Sequence, residues 1–163
     1  MNAHIRTAII GAGPFGLSVA GELRRTNQPF LLLGRPMSFW REHVPPGTRL
    51  LSRAANCSLS RRQGLDWPAY SRAINLAQSE AISSEQFLAY GLWFQEMAGI
   101  AALENLVADL ETRGGRFQIT LDDGTKIVAE TVIVAISLKH FAYCHPEFAR
   151  LPAHLASHTS ELV

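Results

Sequence analysis

Three glycines, Gly11, Gly13 and Gly16, follow the spacing G-x-G-x-x-G and are the residues here whose type and spacing point most directly to chemistry. In this pattern the first glycine makes a tight turn, the second lets bare backbone approach a pyrophosphate, and the third lets a helix pack closely on a strand. The chemistry is anion binding: a helix that opens at such a turn presents unpaired N–H groups and the positive end of its dipole. Pro14 suits the first helical position, where its missing N–H has no intrahelical partner to lose, and Phe15 follows it.

The spacing carries meaning only between a strand and a helix. Ile5 to Ile10 is a short apolar run that reads as the strand. Phe15, Val19 and Leu23 recur at intervals of four, with Ala20 beside them, and describe a helix that ends near Arg24-Arg25-Thr26-Asn27. After Pro29, the unbroken run Phe30-Leu31-Leu32-Leu33 reads as a parallel strand covered on both faces.

In a dinucleotide fold the second strand usually ends in an acid that hydrogen-bonds the adenosine ribose. Gly34 stands there, followed by Arg35, and a guanidinium without a carboxylate is what a 2′-phosphate prefers. On these residues alone FAD, NAD and NADP all stay open, with a lean toward NADP.

Residues 36–82 read as irregular apart from a short helix at Ser38 to His43, and a long segment of that kind is expected to cover a ligand. Ser83-x-x-Gln86 then forms a capping box, and Phe87, Tyr90, Phe94 and Met97 fall on one side of the helix it starts, as a core stripe. From Asn105 the period changes to two. Leu106 to Leu110, Phe117 to Leu121 and Lys126 to Val128, joined by turns at Gly114-Gly115 and Asp122-Asp123-Gly124, make a β-meander over 105–129. Thr131 to Ile136 is a further buried parallel strand.

The expected fold is therefore α/β: a Rossmann-like parallel sheet flanked by helices, with an antiparallel β-meander insertion, filling residues 1–163 as one dinucleotide-binding domain. Ligands of such sheets bind beyond the carboxyl ends of the strands. Gly11 to Gly16, Gly34-Arg35 and Ser137-Leu138-Lys139-His140 should converge there, with Ala135 a further candidate for cofactor contact.

Bulk properties exclude several classes. A hydrophobic fraction of 47% is enough for a real core, and a net charge of +1 leaves no broad basic footprint for nucleic acid. No apolar run approaches the roughly 20 residues that span a bilayer, so no membrane partner is expected, and the low cysteine count fits a cytoplasmic, reduced setting. Cys57 and Cys144 are too few for a disulfide framework, and the six histidines lack metal-site spacing, so no metal is expected. Ser137 has no G-x-S-x-G surround, which excludes the corresponding hydrolase nucleophile.

The motif set Gly11 to Leu17, Gly34 to Arg41, Pro45-Pro46-Gly47, Asp122-Asp123-Gly124 and His140 to Tyr143 resembles the N-terminal part of flavin-dependent oxidoreductases related to flavin-containing monooxygenases. The resemblance implies FAD in the first glycine site, and NADPH in a second dinucleotide domain further along. It implies that Gly34-Arg35 is a subgroup variation, that Trp40 and Arg41 help to cover the cofactor, and that Val107 meets the adenine through its backbone. Such relatives end the strand after Val134 with Ala-Thr-Gly, where this chain has Ala135-Ile136-Ser137, and they carry a second glycine fingerprint and a late Gly-Asp strand that it lacks.

The expectation is thus a truncated FAD-binding portion of an oxidoreductase, with the flavin as the reactive group and no residue nominated as acid, base or nucleophile. Two alternatives stay open. One is a non-catalytic dinucleotide module preferring NADP; the other is a truncated interaction domain that self-associates or takes up a complementing C-terminal half through its open sheet edges.

Overall fold

The computed structural model describes residues 3–76, 81–137, 141–152 and 154–156. Strand β1 (Ala3–Ile10) runs into the glycine turn and helix α1 (Pro14–Arg25), which returns to β2 (Leu31–Leu33). After α2 (Ser38–Glu42), a 3-10 turn at Ala54–Asn56 and α3 (Trp67–Ala73), helix α4 (Ser84–Met97) leads to a two-residue strand β3 (Ala102–Leu103). The antiparallel strands β4 (Val107–Arg113), β5 (Arg116–Leu121) and β6 (Lys126–Val134) follow, then a short α5 (Pro146–Ala149).

One sheet joins all six strands in the order β3-β2-β1-β6-β5-β4. The pairs among β3, β2, β1 and β6 are parallel, while β4 with β5 and β5 with β6 are antiparallel. The mixed α/β architecture with a parallel half and an antiparallel meander is as the sequence predicts. The chain leaves β1 toward β2 on one side, and β6 lies on its other side, so the strand order reverses at β1.

Side-chain alternation in β1 divides the core in two. Ile9 faces Leu17 and Ala20 of α1, Leu32 of β2, and Phe87, Tyr90 and Phe94 of α4. Ala8 and Ile10 face the other way, grouped with Leu33 and with Ile119, Leu121, Ile127 and Ala129 of the meander. Leu32 and Leu33 are both buried, which is why β2 carries no polar residue.

Four expectations are corrected. Lys126 to Val128 and Thr131 to Val134 form one strand, β6, because no turn residue separates them and Ala129-Glu130 continues the pleat; Ala135 and Ile136 lie past its end. On α1 the buried face is Gly16, Leu17 and Ala20, with Val19 and Leu23 on its flank, whereas Phe15 is 79% exposed. Met97 falls outside the buried stripe of α4 and is exposed at its last turn. The segment 36–82 is more regular than its prolines imply: Asp66 accepts from Ala69 N–H at 3.0 Å and starts α3, with Pro68 in the first turn, where proline costs no hydrogen bond.

Two anchors fix that segment against α4. The capping box is present in both directions, Ser83 Oγ accepting from Gln86 N–H at 3.2 Å and Gln86 Oε1 from Ser83 N–H at 2.9 Å. Beside it, Gly47 N–H donates to Glu85 at 2.6 Å. The Ser83 hydroxyl, and then that N–H, pull the Glu85 carboxyl down to about 2. Deeper in, the Tyr90 hydroxyl donates to Leu65 C=O and accepts from Leu59 N–H, both at 2.9 Å, with Trp67, Tyr70 and Trp93 around its ring.

Burial pushes the Tyr90 hydroxyl up to about 12, so it stays protonated and keeps both hydrogen bonds throughout the physiological range. Tyr90→Phe strands the partners at Leu59 and Leu65, both on buried residues. The expected loss is about 2–3 kcal/mol, or roughly 5–10 °C in a thermal melt.

Candidate functional site: the glycine turn and three level strand ends

The ladder register aligns the ends of three strands. Ile10 pairs with Leu33 on one side and with Val134 on the other, so Gly11, Gly34 and Ala135 are the next residues of three neighbouring strands. Hydrogen bonds continue one step past the strands: Gly11 N–H to Leu33 C=O at 2.9 Å, Ala135 N–H to Ile10 C=O at 2.8 Å, and Gly34 N–H to Leu103 C=O at 2.8 Å. The strand-end segments at Gly11, Gly34 and Ala135 that the sequence assigns to one crevice are therefore brought together.

Each glycine of the fingerprint meets a different constraint. Gly11 has φ +109°, and a Cβ there would lie 2.3 Å from the Ala135 carbonyl oxygen. A Cβ on Gly16 would lie 1.8 Å from the Gly11 carbonyl oxygen, so the helix can sit this close to the turn only without one. Around Gly13, by contrast, a Cβ would meet none of the described residues within 4 Å. The turn thus excludes side chains at its two ends for packing, and its middle is bare backbone against open space.

Gly13 is the N-cap of α1 and offers no side-chain cap, Pro14 takes the first turn, and that turn holds no acidic residue. Helix geometry leaves the Phe15 and Gly16 N–H groups without intrahelical acceptors. Helices α3 and α4 differ, since Asp66 and Ser83 cap them. An uncapped, acid-free helix start facing open space has the donor set and field sign for a phosphate. The exposed Phe15 ring stands beside it.

Gly34, at φ +110°, lies against the turn: a Cβ there would be 3.5 Å from Ala12 N and 3.7 Å from Gly11 Cα. Met37 N–H donates to Ala12 C=O at 3.0 Å, so the chain touches the turn on both sides of Arg35-Pro36. Met37 is buried against Gly91 of α4, where a Cβ would come within 2.6 Å of its sulfur. That contact sets where α2 begins.

Arg35 pairs with Glu42 from the last turn of α2, Nη1 to Oε1 at 3.1 Å and Nη2 to Oε2 at 3.4 Å. Trp40 is half-buried and meets Phe87 edge-on at 4.6 Å between ring centroids, and Arg41 is exposed. Val107 opens β4 four residues after Leu103, and its side chain packs on the cluster of Ala8, Ile10 and Leu33. Ser137 is half-buried two residues beyond Ala135, while Leu138, Lys139 and His140 lie outside the described residues.

Sequence reasoning missed Glu42 and His43. The Arg35–Glu42 pair spans seven residues across a turn, and no local spacing rule joins such positions. His43 is 13% exposed, and neither ring nitrogen has a hydrogen-bond partner among the described residues; its Nε2 lies 3.9 Å from Glu42 Oε2, too long for a hydrogen bond. Among the described residues no His, Cys, Asp or Glu cluster could hold a metal, and Cys57 and Cys144 are free thiols. No described helix is long and apolar enough to cross a membrane.

No protein-family model and no curated protein sequence matches the chain. Solved structures do. The chain is similar to a flavin-containing monooxygenase from Stenotrophomonas maltophilia, with TM-score 0.73 and 26% identity over 88% of this chain and 41% of that one. It is also similar to a bacillithiol disulfide reductase from Staphylococcus aureus, with TM-score 0.68 and 17% identity over 83% of this chain and 39% of that one. A third is a steroid monooxygenase bound to NADP, with TM-score 0.71 and 18% identity over 90% of this chain and 28% of that one.

The fold is shared with these monooxygenase and reductase structures, and the resemblance to flavin-containing monooxygenases read from the sequence is borne out. The chain spans about two fifths of the length of the first two of these structures.

Proposed function

We propose that this chain is the FAD-binding portion of an NAD(P)H-dependent flavin oxidoreductase or monooxygenase. The observation that carries the proposal is the open start of α1: bare backbone at Gly13, no capping side chain and no acid, level with the ends of β2 and β6. FAD fits this cradle, because its pyrophosphate supplies the acceptors that the Phe15 and Gly16 N–H groups lack. The similarity to flavin monooxygenases supports the same cofactor.

In this reading Gly11, Gly13, Pro14, Phe15 and Gly16 hold the pyrophosphate, and Gly34 and Arg35 adjoin the adenosine. Trp40 and Arg41 cover the cofactor, Val107 meets the adenine through its backbone, and Ala135 and Ser137 close the crevice. Bound flavin would supply the hydride and oxygen chemistry; the chain positions it and excludes water. NADP belongs to a second nucleotide unit outside these residues.

The outer edge of β6 supports a complementing half. Its ladder with β5 ends at Ala129, so along Glu130 to Val134 only β1 is paired among the described residues, and Val134 is 58% exposed. Such an edge is a template for another strand, from the rest of the enzyme or a second copy.

The test is reconstitution. Purified protein titrated with FAD is expected to quench flavin fluorescence saturably at one flavin per chain and to keep the yellow colour through gel filtration. Unquenched flavin and colourless protein would overturn the reading.

A further inference from the structure

The end of β2 lacks the acid that usually reads the adenosine ribose, yet a carboxylate arrives there by another route. Arg35 lies between Gly34, which contacts the glycine turn, and Met37, which hydrogen-bonds to it. Glu42 reaches back from α2 to the Arg35 guanidinium with both carboxylate oxygens, at 3.1 and 3.4 Å. We infer that Glu42, held by Arg35, takes the part of the missing acid and makes the first site selective for an adenosine with a free 2′-hydroxyl over one with a 2′-phosphate. This rests on the dinucleotide reading of the glycine turn and adds a specificity-determining pair to it.

Charge and acceptor count set this preference. An isolated guanidinium beside the ribose would attract a 2′-phosphate through a two-pronged contact. Here its fork is occupied, and the pair sums to no net charge. A phosphate brought up to it meets a carboxylate of like sign before it meets free N–H groups. A 2′-hydroxyl meets no such repulsion, because a carboxylate has about four acceptor sites and Arg35 uses two of them. The pair is half-exposed, so its contribution to folding is small, and its removal tests recognition rather than stability.

The probes are ADP and 2′,5′-ADP, which differ by one phosphate, titrated calorimetrically into wild type, Glu42→Gln and Glu42→Gln/Arg35→Gln. Wild type is expected to bind ADP and to bind 2′,5′-ADP no better. Glu42→Gln frees the guanidinium and should raise the preference for 2′,5′-ADP roughly tenfold. Taking the ratio cancels any general gain in anion affinity from losing a negative charge.

In the double variant that gain should vanish, with melting temperatures unchanged throughout. If Glu42→Gln leaves the ratio as in wild type, or if the gain survives loss of Arg35, the inference fails while the site stands. If wild type binds neither nucleotide, the dinucleotide reading itself fails, and the inference with it.

Discussion

Gly16→Ala is expected to cost about 4 kcal/mol or more and to lower the melting temperature by roughly 8–16 °C, although alanine is the better helix former by about 1 kcal/mol. The added methyl would sit 1.8 Å from the Gly11 carbonyl oxygen and 2.9 Å from its carbon. Side-chain obstructions relax by changing rotamer, which holds most overpacking to about 1–3 kcal/mol. This obstruction is backbone, and it is pinned. Gly11 N–H is bonded to Leu33, and Gly11 is itself pressed against the Ala135 carbonyl. Relief requires α1 to lift from β1, which opens the core at Leu17 and Ala20, both fully buried. A melt within two degrees of wild type would show that the turn is looser than described.

Gly13→Asp is expected to have opposite effects on folding and on binding. Gly13 sits at φ −77°, ψ −172°, the extended conformation an N-cap residue adopts, and its missing side chain would point into open space. Aspartate is among the best N-caps and should hold or raise stability by a few tenths of a kcal/mol. Its carboxylate would take the Phe15 and Gly16 N–H groups that FAD's pyrophosphate needs and would add a like charge within about 4 Å. At a partly solvated site that repulsion is worth about 4 kcal/mol, so FAD affinity should fall roughly a thousandfold. A melt and a flavin titration on one preparation measure both signs. Unchanged flavin affinity would remove the helix start from the site.

How much of this was legible follows from where each signal is stored. The strand–glycine–helix unit is local: Ile5 to Ile10, the three glycines and the apolar spacing of Phe15, Val19, Ala20 and Leu23 signal it without reference to distant residues, although the buried face turns out to be Gly16, Leu17 and Ala20. The α4 start is equally local, because Ser83 and Gln86 cap each other, and the meander turns are set by Gly114-Gly115 and Asp122 to Gly124. The convergence of the strand ends was legible through the general rule for parallel sheets, since Ile10, Leu33 and Val134 fall in one register.

Other features are written in tertiary contacts. Helix α3 hides behind Trp67-Pro68, which signals a loop unless Asp66 is recognised as a cap; Tyr90, distant in sequence, holds the segment in place. Strand β3 has two residues and owes its existence to pairing with β2. Phe15 satisfies the apolar spacing of α1 but stands at the open mouth of the turn, where function and packing separate. Arg35 read alone points to a 2′-phosphate, and only the fold shows the carboxylate of Glu42 already on it.

In the function proposed above, the first turn of α1 receives the pyrophosphate of FAD. Amide chemical shifts of isotopically labelled protein, followed as FAD is added, test it at single-residue resolution. Saturable shifts of the Gly11, Gly13, Phe15 and Gly16 N–H signals are expected, with Gly34 and Ala135 following at the same midpoint. Shifts confined to other parts of the chain, with those signals unmoved at flavin saturation, would contradict it.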